Sequence, residues 1–222
     1  MKIKAFIKKI ARYLTVVKRK RHLKVGMPTV IARDCVAGAV YHDLKQKFTS
    51  PTINLYIKPR DFINLVNNLK EYVSYGYLTE FKEDGISFPV GLLSCEGLQD
   101  VTIYFMHYKT FNEAQEKWHE RCKRINFDNI VVVLPLINET EDISSILQEF
   151  NKLPYKKVAL LNYKQQGVEN TYQYSKDQFD CDGSENLLSY KKSNKFLQWR
   201  YLDYFDYVEF INSGKIQKRN IR

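Results

Sequence analysis

Apolar residues recur at spacings of three and four along the first 24 residues of the chain. This period places them on one face of a helix, while lysines and arginines fill the other faces. After Pro28 the pattern changes to short continuous apolar runs that alternate with helical periods. The sequence therefore predicts a basic amphipathic N-terminal helix over residues 1–25 and a single α/β domain over residues 26–222.

Two groups of segments within this domain have the order strand, helix, strand. In the first group, TVIAR (residues 29–33) and TINLYI are short apolar strands on either side of the helix CVAGAVYHDLKQ. In the second group, the nearly continuous apolar run NIVVVLPL (residues 129–136) is typical of a strand covered on both faces, and a helix leads from it to the strand KKVALLNY. Right-handed crossovers between such strands predict a mostly parallel central sheet with flanking helices.

A β-rich insertion separates the two groups. The strand-like segments SYGYLTEF, ISFPVGLL and VTIYFMH follow one another up to residue 107 and are separated by turn signals. Residues 164–194 are polar and are expected to be irregular around weak strands. Residues 196–212 carry seven aromatic residues and are expected to form a terminal helix that belongs to the core or covers a sheet edge.

The formal net charge of +10 is confined to the predicted N-terminal helix. Residues 1–24 hold ten Lys and Arg and no acidic residue, whereas the rest of the chain carries 25 basic and 25 acidic residues. An apolar stripe flanked by cations suits a helix lying in the interface of an anionic membrane, where each near-surface charge contributes about 1 kcal/mol. The residues predicted to bind the membrane are Phe6, Ile7, Lys8, Lys9, Ile10, Arg12, Lys18, Arg19, Lys20 and Arg21.

Two other interpretations of this segment stay open: a solvated helix whose stripe docks on the body, and contact with nucleic acid. The neutral body has no RNA-binding aromatic motif, helix-turn-helix pattern or basic stripe, so no nucleic-acid partner is expected. The sequence also has no signal-peptide pattern and no apolar run of about 18 residues. Four widely spaced cysteines indicate reduced thiols. The expected location is cytoplasmic, peripheral to the inner face of the cell membrane.

The turn RDCVAGAVYHDL is the first candidate for chemistry. It lies where a strand feeds a helix, and ligands of α/β sheets gather at such strand ends. Cys35 could act as a nucleophile with a lowered thiol pKa and with His42 or His107 as its base, although His42 is about 10 Å away along the same helix. Asp34 and Gly38 are expected to line the ligand site. The alternative is a purely structural role. Small residues permit close packing of a helix, and free cysteines are among the most often buried residues.

A second candidate follows the strand VTIYFMH. His107 is predicted to be catalytic, and Tyr108 and Lys109 to bind substrate, because they leave a strand end and precede a helix. Arg121 and Arg124 on that helix could grip a phosphate or a carboxylate. The alternatives are a hydrogen-bonded structural histidine and an exposed cationic helix face.

The third candidate is FDCDG. Asp180 and Asp182, separated by one residue, resemble the carboxylate pair with which many glycosyltransferases hold a divalent ion on a nucleotide-sugar. Hard oxygen ligands suit Mg²⁺ or Mn²⁺, and the ion neutralises the leaving diphosphate. The expected cofactor is therefore a divalent metal with a nucleotide-sugar, and the alternative is an ordinary turn. The sequence contains no P-loop, dinucleotide-binding, serine-hydrolase or zinc-protease signature.

The order of four segments carries a family resemblance. The segments are DCVAGAVYHDL, FTSPTINLYIKPRDFINLVNNL, FPVGLL and VTIYFMHYKTFNEAQEKWHERCKRINFDNIVVV. Over residues 29–163 the chain resembles a bacterial family catalogued as a domain of unknown function (DUF1919) and often labelled exopolysaccharide biosynthesis protein. The family's cysteine turn is matched at Cys35 and Gly38 but not at the positions of its asparagine, tryptophan and first glycine. Positions that match further along are Ser50, Pro51, Thr52, Pro59, Asp61, Phe62, Pro89, Val90, Gly91, His107, Tyr108, Trp118, Arg121, Arg124, Ile125 and Asn126.

The resemblance implies an α/β protein encoded among genes for capsule, exopolysaccharide or lipooligosaccharide assembly, and it brings no established catalytic residues. Together with the charge pattern, it predicts a glycosyl or acyl transferase in cell-surface polysaccharide biosynthesis at the inner face of the membrane. The expected partners are an anionic membrane surface and a glycan or lipid-linked glycan intermediate. The glycosyl version uses Asp180 and Asp182 at a metal, and the acyl version uses His107 or Cys35. The alternative is a non-catalytic, membrane-recruited binding or scaffold protein of a polysaccharide assembly complex.

Overall fold

Two four-stranded sheets form the frame of the protein, and helices pack on them. The structure, a computed structural model, describes residues 10, 13, 17, 19–139, 143–176, 178–179, 186–190 and 199–219. In chain order the elements are β1 (Thr29–Ala32), α1 (Val36–Asp43), β2 (Tyr56–Ile57), α2 (Pro59–Asn67), α3 (Leu69–Tyr75), β3 (Tyr77–Phe81), β4 (Val90–Ser94), β5 (Val101–Tyr104), α4 (Phe111–Cys122), β6 (Ile130–Leu136), α5 (Ile143–Lys152), β7 (Lys156–Leu161), β8 (Thr171–Gln173), a 3₁₀ turn (Tyr201–Tyr204) and α6 (Tyr207–Ser213). The predicted α/β fold is confirmed.

The central sheet has the strand order β1-β6-β7-β8, and each neighbouring pair is parallel. Successive residues of β6 point to opposite faces: Val132 and Leu134 belong to one buried cluster, and Val131 and Val133 to the other. Both faces of this sheet are therefore covered. This double cover explains why β6 is a continuous apolar run in the sequence.

The second sheet is antiparallel and has the order β2-β5-β4-β3. Its strands β3, β4 and β5 form the predicted β-rich insertion, and its inner face shares a core cluster with α2 and α4. Three side chains converge on Gly91 in β4. A Cβ atom there would lie 2.8 Å from Leu78 Cδ1, 3.0 Å from Phe105 Cε2 and 3.2 Å from Phe111 Cε2. Gly91 thus occupies a position at which any larger residue would have to displace its neighbours.

The second strand of the first predicted strand–helix–strand group, β2, lies in the antiparallel sheet and not beside β1. Side chains occupy the open edge of β1 instead. The Tyr41 hydroxyl accepts a hydrogen bond from Val30 N at 2.9 Å. Thr52 Oγ1 accepts one from Ala32 N at 3.0 Å. Because these bonds satisfy the edge donors of β1 without another strand, β2 pairs with β5.

The C-terminal region is not the continuous helix that its sequence predicts. The 3₁₀ turn ends at Tyr204, the next residue Phe205 has extended backbone angles, and α6 begins only after Asp206. The Asp206 carboxylate accepts a hydrogen bond from Glu209 N at 3.3 Å and so caps a new helix. The aromatic side chains are core residues: Phe205 and Phe210 lie at most 2% exposed, with ring centroids 5.6 Å apart. Residues 196–198 lie outside the described residues.

Arg19, which the charge pattern assigns to the membrane-facing set, lies instead in the protein core with no exposed surface. Its Nη1 atom is 2.9 Å from Asp43 Oδ2 and 2.7 Å from Asp203 Oδ1. Nη1 also donates to the Tyr207 hydroxyl at 2.6 Å. We call these four residues the Arg19 cluster. A buried arginine needs carboxylate partners, and α1 and the 3₁₀ turn supply them here, while α6 adds the Tyr207 hydroxyl.

Of the described residues near Arg19, some pack against the body of the protein and others are exposed to solvent. Leu23 packs against the same core cluster as α1, and Asn212 in α6 donates to the His22 carbonyl at 2.8 Å. Lys20 and Arg21 are exposed, as is Ile10. The other predicted membrane-binding residues lie outside the described residues: Phe6, Ile7, Lys8, Lys9, Arg12 and Lys18. Within the described ranges, no helix is long and apolar enough to span a bilayer.

Replacing Arg19 with methionine should destabilise the protein strongly, because Asp43 and Asp203 would stay buried without their cation. Breaking a buried ion pair from one side costs on the order of 3–5 kcal/mol. The matched control is Arg21→Met, which removes an exposed charge and should change stability by no more than about 0.5 kcal/mol. Urea unfolding of the full chain measures both. Equal unfolding midpoints for Arg19→Met and the wild type would contradict a stabilising Arg19 cluster.

Candidate functional site

A cavity of about 580 Å³ opens at the carboxyl ends of the neighbouring parallel strands β1 and β6. Its volume is within the range of small-molecule sites, and its position is where ligands bind in open α/β sheets. Asp34, Cys35 and His107 all line it, so the structure brings together three of the predicted site residues. Residues 186–189 contribute a further wall, which includes Leu187 and Leu188.

Arg33 joins the two sheets beside this cavity. Its Nε donates to the Ile57 carbonyl at 3.1 Å, and its Nη1 donates to the Pro135 carbonyl at 2.9 Å. Nη1 also donates to Glu139 Oε1 at 2.5 Å and forms an ion pair with it. The guanidinium carbon lies 4.8 Å from the centroid of the Tyr56 ring. Since carbonyl groups of both β2 and β6 accept from Arg33, this one side chain fixes the sheets relative to each other at the cavity.

Asp34 supplies a carboxyl group of which only one oxygen accepts a hydrogen bond within the described residues. Its Oδ1 accepts a hydrogen bond from Val36 N at 2.9 Å, which shapes the turn into α1. Its Oδ2 has no hydrogen bond or ion pair with the described residues. Burial raises the pKa of Asp34 above its ordinary value; the bond from Val36 and the charge of Arg33 oppose the rise, and the charge of Glu139 adds to it. The cavity therefore contains a carboxyl group with an uncommitted oxygen and increased basicity.

Glu139 is the second carboxylate of the cavity. It follows β6 and is 17% exposed, with Oε1 bound to Arg33. It also acts on Tyr163: burial first, and then the charge of Glu139, raises the pKa of that phenol to about 12. Two carboxylates, Asp34 and Glu139, and the Arg33 guanidinium thus line the same cavity, where their charges interact.

Cys35 does not have the lowered pKa that a nucleophilic thiolate requires. Burial, and then the neighbouring Asp34 carboxylate, raise the pKa of the Cys35 thiol to about 12. The thiol is therefore protonated at neutral pH, although it precedes α1 and lines the cavity. His42, the other predicted base, lies on α1 with a side chain that is 78% exposed, and it does not line the cavity.

His107 directly follows Met106 after β5 and is exposed at the cavity. It is the histidine of the described residues that lines this site. Its neighbour Tyr108 turns away into the core, where its hydroxyl donates to the Ile53 carbonyl at 3.1 Å and accepts from Arg121 Nη1 at 2.5 Å. Tyr108 and Arg121 are at most 9% exposed and hold the fold together. Neither residue lines the cavity, because each satisfies the other's buried polar group in the core.

Three more predicted substrate-binding residues lie away from the cavity lining: Gly38, Lys109 and Arg124. Gly38 is inside α1, where a Cβ atom would lie 3.4 Å from Asn54 Oδ1, so it allows close packing of the helix. Lys109 is exposed. Arg124 pairs with Glu120 and donates to the Phe48 carbonyl at 3.3 Å. The cavity therefore contains neither cation of the phosphate grip that is expected on α4.

Arg33, Tyr56 and Glu139 belong to the site but are not predicted from the sequence. Arg33 and Glu139 each follow a buried parallel strand. The rule that ligands bind at the carboxyl ends of such strands would therefore have identified both residues. No comparable signal marks Tyr56, because β2 reaches the cavity only through its pairing with the antiparallel sheet.

The predicted metal ligands Asp180 and Asp182 lie outside the described residues. In the described part of the chain, no group of three or more His, Cys, Asp or Glu side chains is arranged to hold a metal ion.

The fold and the cavity define an α/β protein with a ligand-sized cavity at the carboxyl edge of a parallel sheet. The model of the family "Domain of unknown function (DUF1919)" matches residues 6–212, and the chain belongs to this family. A relative from Haemophilus influenzae, an uncharacterized protein, is 32% identical over 215 residues, which cover 95% of this chain and 97% of the relative. The family resemblance of the sequence is thereby confirmed.

Replacing Asp34 with asparagine should raise the melting temperature at pH 7. The raised pKa of Asp34 means that folding favours its protonated form, so the stability associated with this group falls as the pH rises through the folded-state pKa. Asparagine keeps an oxygen for Val36 N and removes the buried charge. A gain of a few degrees is expected, since about 1 kcal/mol moves the melting temperature of a chain this long by roughly 2–4 °C.

The gain should shrink to a small remainder near pH 3.5, below the ordinary pKa of an aspartate, because Asp34 is then mostly protonated in the unfolded state as well. Differential scanning calorimetry of both proteins across this range measures the effect. Asp84→Asn, at an exposed position between β3 and β4, is the control and should melt like the wild type. A lower melting temperature for Asp34→Asn at pH 7 would mean that the Asp34 charge stabilises the fold.

Proposed function

We propose that the protein is a transferase that moves a glycosyl or acyl group from an activated donor onto a hydroxyl group of a glycan. The reaction would serve bacterial cell-surface polysaccharide biosynthesis at the inner face of the membrane. The observation that carries the proposal is Asp34: a carboxyl group with a raised pKa and an uncommitted Oδ2, in a ligand-sized cavity at the carboxyl end of β1.

Asp34 would act as the general base. The acceptor hydroxyl oxygen attacks the anomeric carbon or acyl carbon of the donor, the bond to the leaving group breaks, and the hydroxyl proton passes to Asp34 Oδ2. A base with a raised pKa takes a proton more readily than an ordinary aspartate, provided that it is ionised before the step. Glycosyl and acyl transfer share this requirement, because the nucleophile in both is a hydroxyl group.

His107 would be the second proton-carrying group, since it lines the same cavity. Cys35 takes no covalent part in this mechanism, because a thiol with a pKa of about 12 is not a thiolate at neutral pH. The acyl version therefore proceeds by direct transfer rather than through a thioester on the protein. For the glycosyl version, Asp180 and Asp182 would hold a divalent ion on the nucleotide-sugar diphosphate.

The N-terminal segment would bring the transferase to its substrate. Its ten basic residues and apolar stripe suit an anionic leaflet, where lipid-linked glycans are assembled. Arg19 is not available for this contact, because it is buried in the Arg19 cluster. The membrane-binding set is therefore reduced to Phe6, Ile7, Lys8, Lys9, Ile10, Arg12, Lys18, Lys20 and Arg21.

A membrane-recruited binding or scaffold protein without catalysis is the second candidate. It is favoured by the pairing of Arg33 with Glu139 and by the protonated thiol of Cys35, since these groups are satisfied within the fold. In this case the cavity would hold a glycan without reacting with it.

Asp34→Asn should lower the rate of transfer at least about 100-fold, the lower range for loss of a general base. The full chain would be incubated with sugar acceptors and either nucleotide-sugars, with and without Mn²⁺, or acetyl-CoA, and donor consumption measured. For the wild type, kcat/KM should fall as the pH drops through the pKa of Asp34, which lies above the ordinary aspartate value. Asp84→Asn and Cys35→Ser should retain wild-type rates.

Full activity of Asp34→Asn would exclude Asp34 as the base. Sugar binding with no consumption of any donor would favour the scaffold candidate. The absence of both binding and turnover would count against both functions.

Vesicle flotation tests the membrane contact separately. The full chain should float with vesicles of anionic lipid and stay behind with vesicles of neutral lipid. Changing Lys8, Lys9 and Arg12 to glutamine should weaken binding by roughly 100-fold, because each near-surface charge contributes about 1 kcal/mol. This variant is preferable to deletion of residues 1–24, which would also remove Arg19 from the core. Equal flotation with both kinds of vesicle would exclude electrostatic attachment.

A further inference from the structure

The charges of the cavity are acidic overall. Among its described lining residues, Asp34 and Glu139 are carboxylates and Arg33 is the one cation with a fixed charge. A ligand that carries phosphate or carboxylate groups would therefore meet like charge in a partly buried site, where charge interactions are stronger than in water.

Arg33 offsets this only in part, because its Nε and Nη1 donors are committed and only Nη2 is left for a ligand. Nε and Nη1 donate to carbonyl oxygens of both sheets and to Glu139, and the guanidinium faces the Tyr56 ring. A bidentate interaction with a phosphate needs two donor nitrogens, so Arg33 would have to release a bond that Nε or Nη1 makes within the fold.

The acceptor oxygens in the cavity are, by contrast, available. Asp34 Oδ2 and Glu139 Oε2 have no hydrogen-bond partner among the described residues, while their other oxygens accept from Val36 N and Arg33. A ligand for this site must supply hydrogen-bond donors, that is, hydroxyl or ammonium groups. Leu187 and Leu188 in the cavity wall provide apolar surface for C–H groups.

We infer that this cavity binds the acceptor sugar, and that the acceptor is a sugar without acidic groups, an amino sugar binding better than a neutral one. The inference rests on the proposed function and adds a substrate class to it. It also places the phosphate-bearing part of any nucleotide-sugar donor outside this cavity. A sugar hydroxyl bound to Asp34 Oδ2 is at the same time the hydroxyl from which Asp34 would take a proton.

Three matched probes test the inference with the full chain: the methyl glycosides of glucosamine, glucose and glucuronic acid. They share a ring and differ in one ammonium or one carboxylate group. In titrations followed by NMR, the glucosaminide should bind best and the glucuronide at least about tenfold more weakly. Uridine diphosphate should not displace the glucosaminide.

Glu139→Gln should remove most of this preference, since it removes one carboxylate and leaves Arg33 without its charged partner. The glucuronide should then bind at least about tenfold better than it binds the wild type. Asp34→Asn is the second variant, with the same expected direction, and it leaves the bonds of Arg33 intact if Glu139→Gln does not fold. Glu116→Gln, on the exposed side of α4, is the control and should keep the wild-type order.

Equal binding of the three glycosides, or displacement by uridine diphosphate, would overturn the acceptor assignment while leaving the proposed transferase function in place. If no glycoside binds but a donor is still consumed, the acceptor assignment also fails. If no glycoside binds and no donor is consumed, the proposed function fails as well.

Discussion

The hydrogen bonds of Arg33 connect the parallel sheet to the antiparallel sheet, and the cavity exists because the two sheets meet there. The side chain is nearly buried, so its positive charge must be balanced, and Glu139 provides the balance from the loop after β6. This arrangement also fixes the positions of Asp34 and Tyr56, which adjoin Arg33 along the chain and across its guanidinium face. The most strongly held residue of the site is thus structural, and the least committed one, Asp34, is the candidate for chemistry.

Burial gives Asp34 its basicity and makes its charge unfavourable for stability, and the same surroundings cause both effects. The same surroundings also raise the pKa of Cys35, but the consequence for reactivity is the opposite. A raised pKa makes a carboxylate a better base, whereas it keeps a thiol protonated and therefore unreactive. The environment that these two adjacent residues share thus makes the Asp34 carboxyl group more basic and keeps the Cys35 thiol protonated.

The sequence predicts the parts of the fold that depend on local pattern. Strand β6 is evident because both of its faces are covered, and Asp34, Cys35 and His107 are found because strand ends can be located. The partners of β2 are not evident, since they depend on Tyr41 and Thr52 closing the edge of β1 from distant positions. The burial of Arg19 is hidden for the same reason: its carboxylate partners lie 24 and 184 residues further along the chain.

This last separation has a consequence for biosynthesis. Arg19 leaves the ribosome before its partner Tyr207, which follows 188 residues later. At typical rates of translation this interval is roughly 10–40 s. During that time Arg19 is a cation without its full set of partners. The Arg19 cluster can close only after Asp203 and Tyr207 have been synthesised. The residues around Arg19 therefore reach their final place long after they are synthesised.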